Sequence, residues 1–171
     1  MKPNIGVIGR DGKIPRKIEK ISEEVGSEIA KNNAILICGG RGGVMEASCR
    51  GAKKFNGLTI GILPSLEKNS ANKYVDVAIT TSLNYGRNLL VVTASDVIIA
   101  IDGSIGTLSE IALALNYKKP VILIEKTGGA TKIIKEKISE LKKFEDDEEK
   151  LKVYSVKNAK DAVKLALKLI D

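Results

Sequence analysis

Nine consecutive residues, Asp102-Gly103-Ser104-Ile105-Gly106-Thr107-Leu108-Ser109-Glu110, have the composition of a loop that binds an anion. The two glycines would let the backbone approach a ligand with no side chain in between. If a helix begins within this stretch, its free N–H groups and positive dipole end favour a group such as a phosphate. The sequence therefore predicts a ligand loop here, with Asp102, Gly103, Ser104, Ile105, Gly106 and Thr107 as binding residues.

The segments on either side position this loop between a strand and a helix. Residues 97–101 form a short apolar run, rich in β-branched residues and without alternation, which is typical of a strand covered on both faces. The apolar-rich residues 111–115 suit a helix, which should end before Lys119 because Pro120 disfavours helix in the residue before it. The predicted geometry is strand, glycine turn and helix N-terminus.

The same alternation of buried strands and amphipathic helices runs along the whole chain. It predicts an α/β fold: a doubly wound, Rossmann-like, mostly parallel sheet with helices on both faces, in one domain spanning residues 1–171. Ligands bind such sheets beyond the carboxyl ends of the strands. The predicted strands are residues 5–9, 34–38, 58–63, 75–79 (an edge strand), 97–101, 121–124 and 153–156. The predicted helices are residues 15–31, a short one through 45–52, one opening at 84, 131–143 and 159–170.

Two further glycine loops follow predicted strands, Gly9-Arg10 and Gly39-Gly40-Arg41-Gly42-Gly43. Neither matches the dinucleotide fingerprint or a Walker-type phosphate loop, and turn chemistry alone explains many isolated glycine clusters. Two clusters that each follow a buried strand and open a helix are together stronger evidence for a ligand site than either cluster alone. All seven residues are therefore predicted to bind ligand, together with Met45, although the apolar side chain of Met45 suits the core better.

Composition narrows the function classes. The chain has a net charge of +7 and 4% aromatic residues. It has no RNA-binding motif, so a solvated lysine-rich surface is favoured over a nucleic-acid surface. No apolar run approaches the ~20 residues of a membrane span, and no signal peptide is predicted. The sequence contains no histidine, and its two cysteines make neither a disulfide framework nor a metal cluster, so we predict no metal site and a reducing cytoplasm.

Three motifs follow one another along the chain: Gly39-Gly40-Arg41-Gly42-Gly43-Val44-Met45-Glu46-Ala47, Asn84-Tyr85-Gly86-Arg87-Asn88 and Gly103-Ser104-Ile105-Gly106-Thr107-Leu108-Ser109-Glu110. Together they resemble the Lonely-guy superfamily, long misnamed "possible lysine decarboxylase", whose signature is Gly-Gly-x-Gly-Thr-x-x-Glu preceded by a helical arginine. The resemblance covers roughly residues 4–125. Arg-Asn at Arg87-Asn88, rather than Arg-Lys, is more similar to the branch that includes molybdenum-cofactor carrier proteins.

This resemblance implies two candidate functions for the same pocket. In the first, the protein binds an AMP-like nucleotide and hydrolyses the N-glycosidic bond of a nucleoside 5′-monophosphate. Glu110 would then stabilise an oxocarbenium-like sugar or activate water, and Arg87 and Asn88 would help to hold the ligand. In the second, the protein is a non-catalytic carrier or sensor of a molybdopterin-type ligand. Neither requires a further cofactor, and the resemblance also implies a homodimer or higher homo-oligomer.

Several residues also have structural interpretations. Thr107-Leu108-Ser109-Glu110 is a capping-box pattern in which Glu110 would reach back to the helix start. Arg87 could be a surface helix residue. The superfamily usually has glycine or proline where this chain has Asp102, and glycine at Ser104. The Asp102 carboxylate would repel a phosphate unless Arg10, Arg41 or a metal ion offsets its charge. A third hypothesis, RNA association through the positive charge, predicts steeply salt-dependent binding.

Overall fold

A computed structural model describes residues 1–144 and 151–170; the acidic stretch at 145–149 lies outside them. The described chain contains one sheet of seven parallel strands, in the order β4-β3-β2-β1-β5-β6-β7. The predicted α/β fold class is thereby confirmed. The strands are β1 (Asn4–Gly9), β2 (Ile35–Cys38), β3 (Thr59–Leu63), β4 (Val77–Thr80), β5 (Val97–Ile101), β6 (Val121–Ile124) and β7 (Val153–Val156).

Helices connect the strands, and most lie within two residues of their predicted bounds. They are α1 (Arg16–Lys31), α2 (Gly43–Lys53), α3 (Asn88–Thr93), α4 (Ile105–Asn116), α5 (Gly129–Lys142) and α6 (Ala159–Ile170). The helix predicted to open at Asn84 begins instead as a 3₁₀ turn over Asn84–Arg87, which continues into α3. A second 3₁₀ turn, Lys68–Ser70, lies in the segment between β3 and β4. The chain as described contains no helix long and apolar enough to cross a membrane.

The two faces of the sheet carry separate apolar clusters. One includes Val25 and Leu36 and lies under α1, α2 and α6, whereas the other includes Ile98 and Ile111 and lies under α3, α4 and α5. Burial on both faces explains why the central strands β1, β2, β5 and β6 are almost continuously apolar. Residues of β5 are completely buried from Val97 to Ile101, so the loop that follows leaves directly from the core of the sheet.

The strand order reverses at β1, and this reversal creates the crevice. β2 lies on one side of β1 and β5 on the other, with Gly9 paired to Ile101 at the carboxyl end. The chain leaves β1 toward α1 on one face, and it leaves β5 toward α4 on the opposite face. A doubly wound sheet opens a ligand crevice at such a reversal.

Candidate functional site

A cavity of about 520 Å³ occupies this crevice, within the range of small-molecule sites. Ten predicted binding or catalytic residues line it: Gly9, Gly39, Met45, Arg87, Asn88, Ser104, Ile105, Gly106, Thr107 and Glu110. Five lining residues were not predicted: Val7, Ile8, Asp11, Tyr85 and Ser109. The structure therefore brings the loop after β5, the end of β2 and the 3₁₀ turn before α3 to one place.

The N-terminus of α4 faces this cavity. Its first backbone hydrogen bond runs from the Leu108 N–H to the Ser104 carbonyl, at 2.9 Å. The N–H groups of Ile105, Gly106 and Thr107 precede that bond and so lie outside the helical ladder, available to an anion.

The capping-box interpretation of this helix is wrong. The helix begins at Ile105 with Ser104 as its N-cap, and no side chain caps it. Thr107 is therefore already inside the helix, and Glu110 lies in the second turn, too far along to reach back to the first N–H groups. Glu110 instead points toward Arg87, with Arg87 Nη1 3.6 Å from Glu110 Oε1.

The side chain of Arg87 is largely enclosed in the site, so the surface-residue interpretation is also wrong. Its side chain is only 11% exposed and its Nε has no hydrogen-bond partner. The guanidinium lies flat against Gly39, where a Cβ atom would be 2.5 Å from Arg87 Cζ. Only a residue without a side chain leaves room for this group, so Gly39 forms the seat of the arginine.

The Glu110 carboxyl group is the strongly perturbed titratable group of the cavity. Burial raises its pKa from the ordinary value of 4.5 to about 7, and the positive charge of Arg87 offsets only part of this effect. A carboxyl group with a pKa near neutrality can hold or release a proton at physiological pH, as a general acid or base must.

A small hydrogen-bond network fixes the two helices that carry these side chains. The Asn88 amide donates to Ser109 Oγ at 3.0 Å and, more weakly, to the Gly106 carbonyl at 3.4 Å. Ser109 Oγ donates to the same carbonyl at 2.7 Å. Asn88 therefore ties the start of α3 to the first turn of α4, which holds Arg87 beside Glu110.

Most of the second glycine loop lies outside the cavity. Only Gly39 lines it; Gly40, Arg41, Gly42 and Gly43 do not. The Asp11 carboxylate accepts the N–H groups of Gly12 and Gly42, at 2.8 and 2.9 Å. The amide of Asn72 donates to the Gly40 and Arg41 carbonyls. Protein groups thus already pair with the Gly42 N–H and with the Gly40 and Arg41 carbonyls, and Arg41 lines a smaller neighbouring pocket of about 250 Å³.

Arg10, Asp102 and Gly103 also lie outside the cavity, because they join β1 and β5 to the start of α5. Arg10 Nε is 2.9 Å from Asp102 Oδ2 and its Nη2 donates to Oδ1 at 3.1 Å, so Arg10 offsets the buried carboxylate. The Gly103 carbonyl accepts the N–H of Ala130 at 3.0 Å. The carboxylate is therefore paired with Arg10 and does not line the cavity.

The sequence contained a signal for some of the unpredicted lining residues and not for others. Tyr85 is 84% exposed and forms the rim, and it belongs to the same motif as Arg87, so its position beside that arginine was the available signal. Asp11 follows Gly9-Arg10 directly. Val7 and Ile8 line the cavity with apolar side chains. Because β1 is almost wholly apolar and buried, its sequence does not show which of its residues face a cavity.

The two cysteines lie below the site, away from solvent. Cys38 Sγ is 3.6 Å from Cys49 Sγ, and both thiols are free and buried. Within residues 1–144 and 151–170, no group of three or more His, Cys, Asp or Glu side chains could hold a metal ion.

The chain is similar to known proteins both in sequence and in structure. The sequence profile of the SLOG cluster4 family matches residues 2–163. An uncharacterized protein of Archaeoglobus fulgidus is 44% identical over 117 residues, which cover 68% of this chain and 76% of that one. The molybdenum cofactor binding protein of Rippkaea orientalis is 37% identical with a TM-score of 0.88, covering 100% of this chain and 99% of its own. The molybdenum cofactor carrier protein of Chlamydomonas reinhardtii is 31% identical with a TM-score of 0.83, over 99% of both chains.

Proposed function

The chain belongs to the SLOG cluster4 family, in the Lonely-guy superfamily and close to the molybdenum cofactor carrier proteins, and from this premise we propose that it binds and carries a phosphorylated ligand of the molybdopterin type. The observation that carries the proposal is the juxtaposition of the buried Arg87 guanidinium, whose Nε has no partner, with the free N–H groups that begin α4. Groups of both kinds bind phosphate in proteins, and here both line one cavity.

The residues present fit such a ligand, which has a phosphate at one end and a flat ring system at the other. A volume of about 520 Å³ is in the range that encloses a molecule of this size. Because Gly39 has no side chain, the planar guanidinium can lie against the backbone there, which leaves its N–H edge for the phosphate. Ile8, Met45 and Ile105 supply apolar walls for the rings. Ser104 and Thr107 line the cavity with hydroxyl groups that can donate to ligand oxygens.

A second candidate, the hydrolysis of a nucleoside 5′-monophosphate, is favoured by one observation. The Glu110 carboxyl group lines the cavity and has a pKa of about 7. In this function Glu110 would activate the attacking water or stabilise the developing charge on the sugar, while Arg87 holds the ligand. The two candidates share the pocket and differ in whether Glu110 faces a glycosidic bond.

The protein is also proposed to form a homo-oligomer through the α3–α4 side. Charged residues make up 29% of the chain, yet residues 77–117 contain only Arg87, Asp96, Asp102 and Glu110. Three of these are buried, and Asp96 receives the Asn4 N–H at the opposite end of the sheet. The exposed side chains that this segment contributes are therefore otherwise uncharged, and the large apolar ones among them are Val77, Ile79, Leu83, Tyr85, Ile105 and Tyr117. Two copies can meet there without burying unpaired charge.

Cytoplasmic localisation belongs to the same proposal. Cys38 and Cys49 are free although their sulfur atoms are only 3.6 Å apart, and a reducing compartment keeps such a pair as thiols.

The decisive experiment is incubation of the pure protein with a panel of nucleoside monophosphates, with free base measured by chromatography. We expect no base release, together with a rise in melting temperature when molybdopterin is added. If the wild type releases free base and Glu110→Gln does not, the protein is a hydrolase and the carrier proposal is refuted. For the oligomer, light scattering should show that Ala112→Lys on α4 dissociates it, whereas Ile133→Lys, at an exposed position of α5, does not.

A further inference from the structure

The ion pair inside the cavity is incompletely made. Arg87 Nη1 and Glu110 Oε1 are 3.6 Å apart, which is an ionic contact but longer than a hydrogen bond. Arg87 Nε is buried and donates to no group in the described structure. A guanidinium that has lost water without gaining full hydrogen bonding retains capacity for a better acceptor, and a phosphate is such an acceptor.

Few other charges surround this pair. The end of β2 contributes Cys38, whose buried thiol feels the charges of both Arg87 and Glu110. The loop after β1 contributes Asp11, which the N–H groups of Gly12 and Gly42 already hold. The rim contributes the Tyr85 phenol, and the other lining residues are uncharged. Within the described chain, Arg87 is the one cation that lines the cavity.

We propose that a phosphorylated ligand draws the Arg87 guanidinium away from Glu110, and that Glu110 takes up one proton from solvent as its counter-charge leaves. The inference rests on the proposed function, and it adds that binding is coupled to a proton. The balance is simple: the carboxylate and one solvent proton become a carboxylic acid, with no other bond made or broken. The proton prevents a buried carboxylate from facing the ligand's phosphate without a partner.

The coupling has a defined pH window. In the free protein the pKa of Glu110 is about 7, so below that pH the group already carries the proton and binding takes up none. Removing the arginine and adding an anion both raise this pKa further. Above pH 7, binding therefore takes up as much as one proton, and the affinity falls by up to about tenfold per pH unit. A phosphate monoester titrates near pH 6, so its own charge is nearly constant in this window.

Titration calorimetry of the full chain tests this, with two phosphate monoesters, adenosine 5′-monophosphate and ribose 5-phosphate, as probes. Measurements at pH 8 in two buffers of different ionisation enthalpy give the number of protons taken up. We expect a number approaching one for the wild type, and a Kd that rises from pH 7 to pH 9. The matched isostere Glu110→Gln should take up none and bind with nearly constant Kd. Asp11→Asn, which removes the other carboxylate of the cavity, should retain the uptake.

Each outcome is informative. Probe binding without proton uptake by the wild type overturns the coupling but leaves the proposed function intact. Uptake that persists in Glu110→Gln assigns the proton to another group and also overturns the inference. The absence of binding by both probes counts against the phosphate site itself, and the inference fails with it. The wild-type measurement in two buffers decides the presence of uptake even if the glutamine variant does not fold.

Discussion

Gly39→Ala should displace Arg87 without unfolding the protein. The Gly39 backbone is outside the left-handed region, so alanine can adopt it. The three atoms nearest to the added Cβ all belong to the Arg87 guanidinium, and Cζ would be 2.5 Å away. Since carbon atoms pack at about 3.5 Å, the guanidinium must retreat by about 1 Å. A flexible side chain can make this movement at small cost to folding.

The movement should be expensive for ligand binding. A hydrogen bond to a charged group contributes about 1.5–3 kcal/mol, and 1.4 kcal/mol is a factor of ten, so Gly39→Ala should weaken phosphate-ligand binding by about 10- to 100-fold. Calorimetry with adenosine 5′-monophosphate measures the loss, and Arg87→Ala sets its upper limit. Gly86→Ala is the matched control, because its added Cβ makes only an ordinary 3.5 Å contact with Leu83. Equal affinity of Gly39→Ala and wild type would refute the role assigned to Arg87.

Three further variants test other parts of the argument. Gly106→Ala meets no protein atom within 4 Å, so it should raise thermal stability slightly but block the ligand at the start of α4; unchanged affinity in calorimetry would remove this helix end from the site. Because the pKa of Glu110 rises from 4.5 to about 7 on folding, wild-type stability should fall as pH rises between those values and then level off. Urea unfolding should show Glu110→Gln gaining up to about 3 kcal/mol on the wild type at pH 8 and nothing at pH 4. Arg10→Gln should destabilise the protein by about 1–3 kcal/mol, because it leaves the buried Asp102 carboxylate without its charged partner. Asp102→Asn should cost less, because the Arg10 side chain is 43% exposed and can reach water. The reverse order in urea unfolding would contradict this account.

The fold could be predicted because each strand between residues 5 and 124 carries its own signal. Ile98 and Ile99 face opposite sides of the sheet and are both fully buried, and this two-sided burial leaves the unbroken apolar runs that indicate a parallel sheet. The residues at which helices begin were harder to predict from the sequence. α4 begins at Ile105, six residues before the apolar stretch at 111, because its first turn faces a cavity rather than the core. The capping-box error has the same origin.

The site could be predicted in part, because local motifs identify loops but not their partners. Gly39 and Arg87 are 48 positions apart, and no local pattern shows that the glycine seats the arginine. The pairing of Arg10 with Asp102 across β1 and β5 is likewise tertiary. The sequence alone left three candidates for offsetting Asp102, and the geometry selects one of them. What was missed was thus mainly contact between elements.

The two departures from the superfamily's glycine motif have opposite consequences. Asp102 has a φ of +56°, a conformation that glycine adopts freely, and its carboxylate pairs with Arg10 instead of facing the cavity. Asp102 therefore joins β5 to β1 through its ion pair with Arg10, and it adds no negative charge to the cavity lining. Ser104 is extended, exposed and free of any capping bond, and it lines the cavity beside the first N–H groups of α4. Its hydroxyl adds a hydrogen-bond donor to the cavity lining where the motif has none, whereas Asp102 affects the cavity only through the strands that it joins.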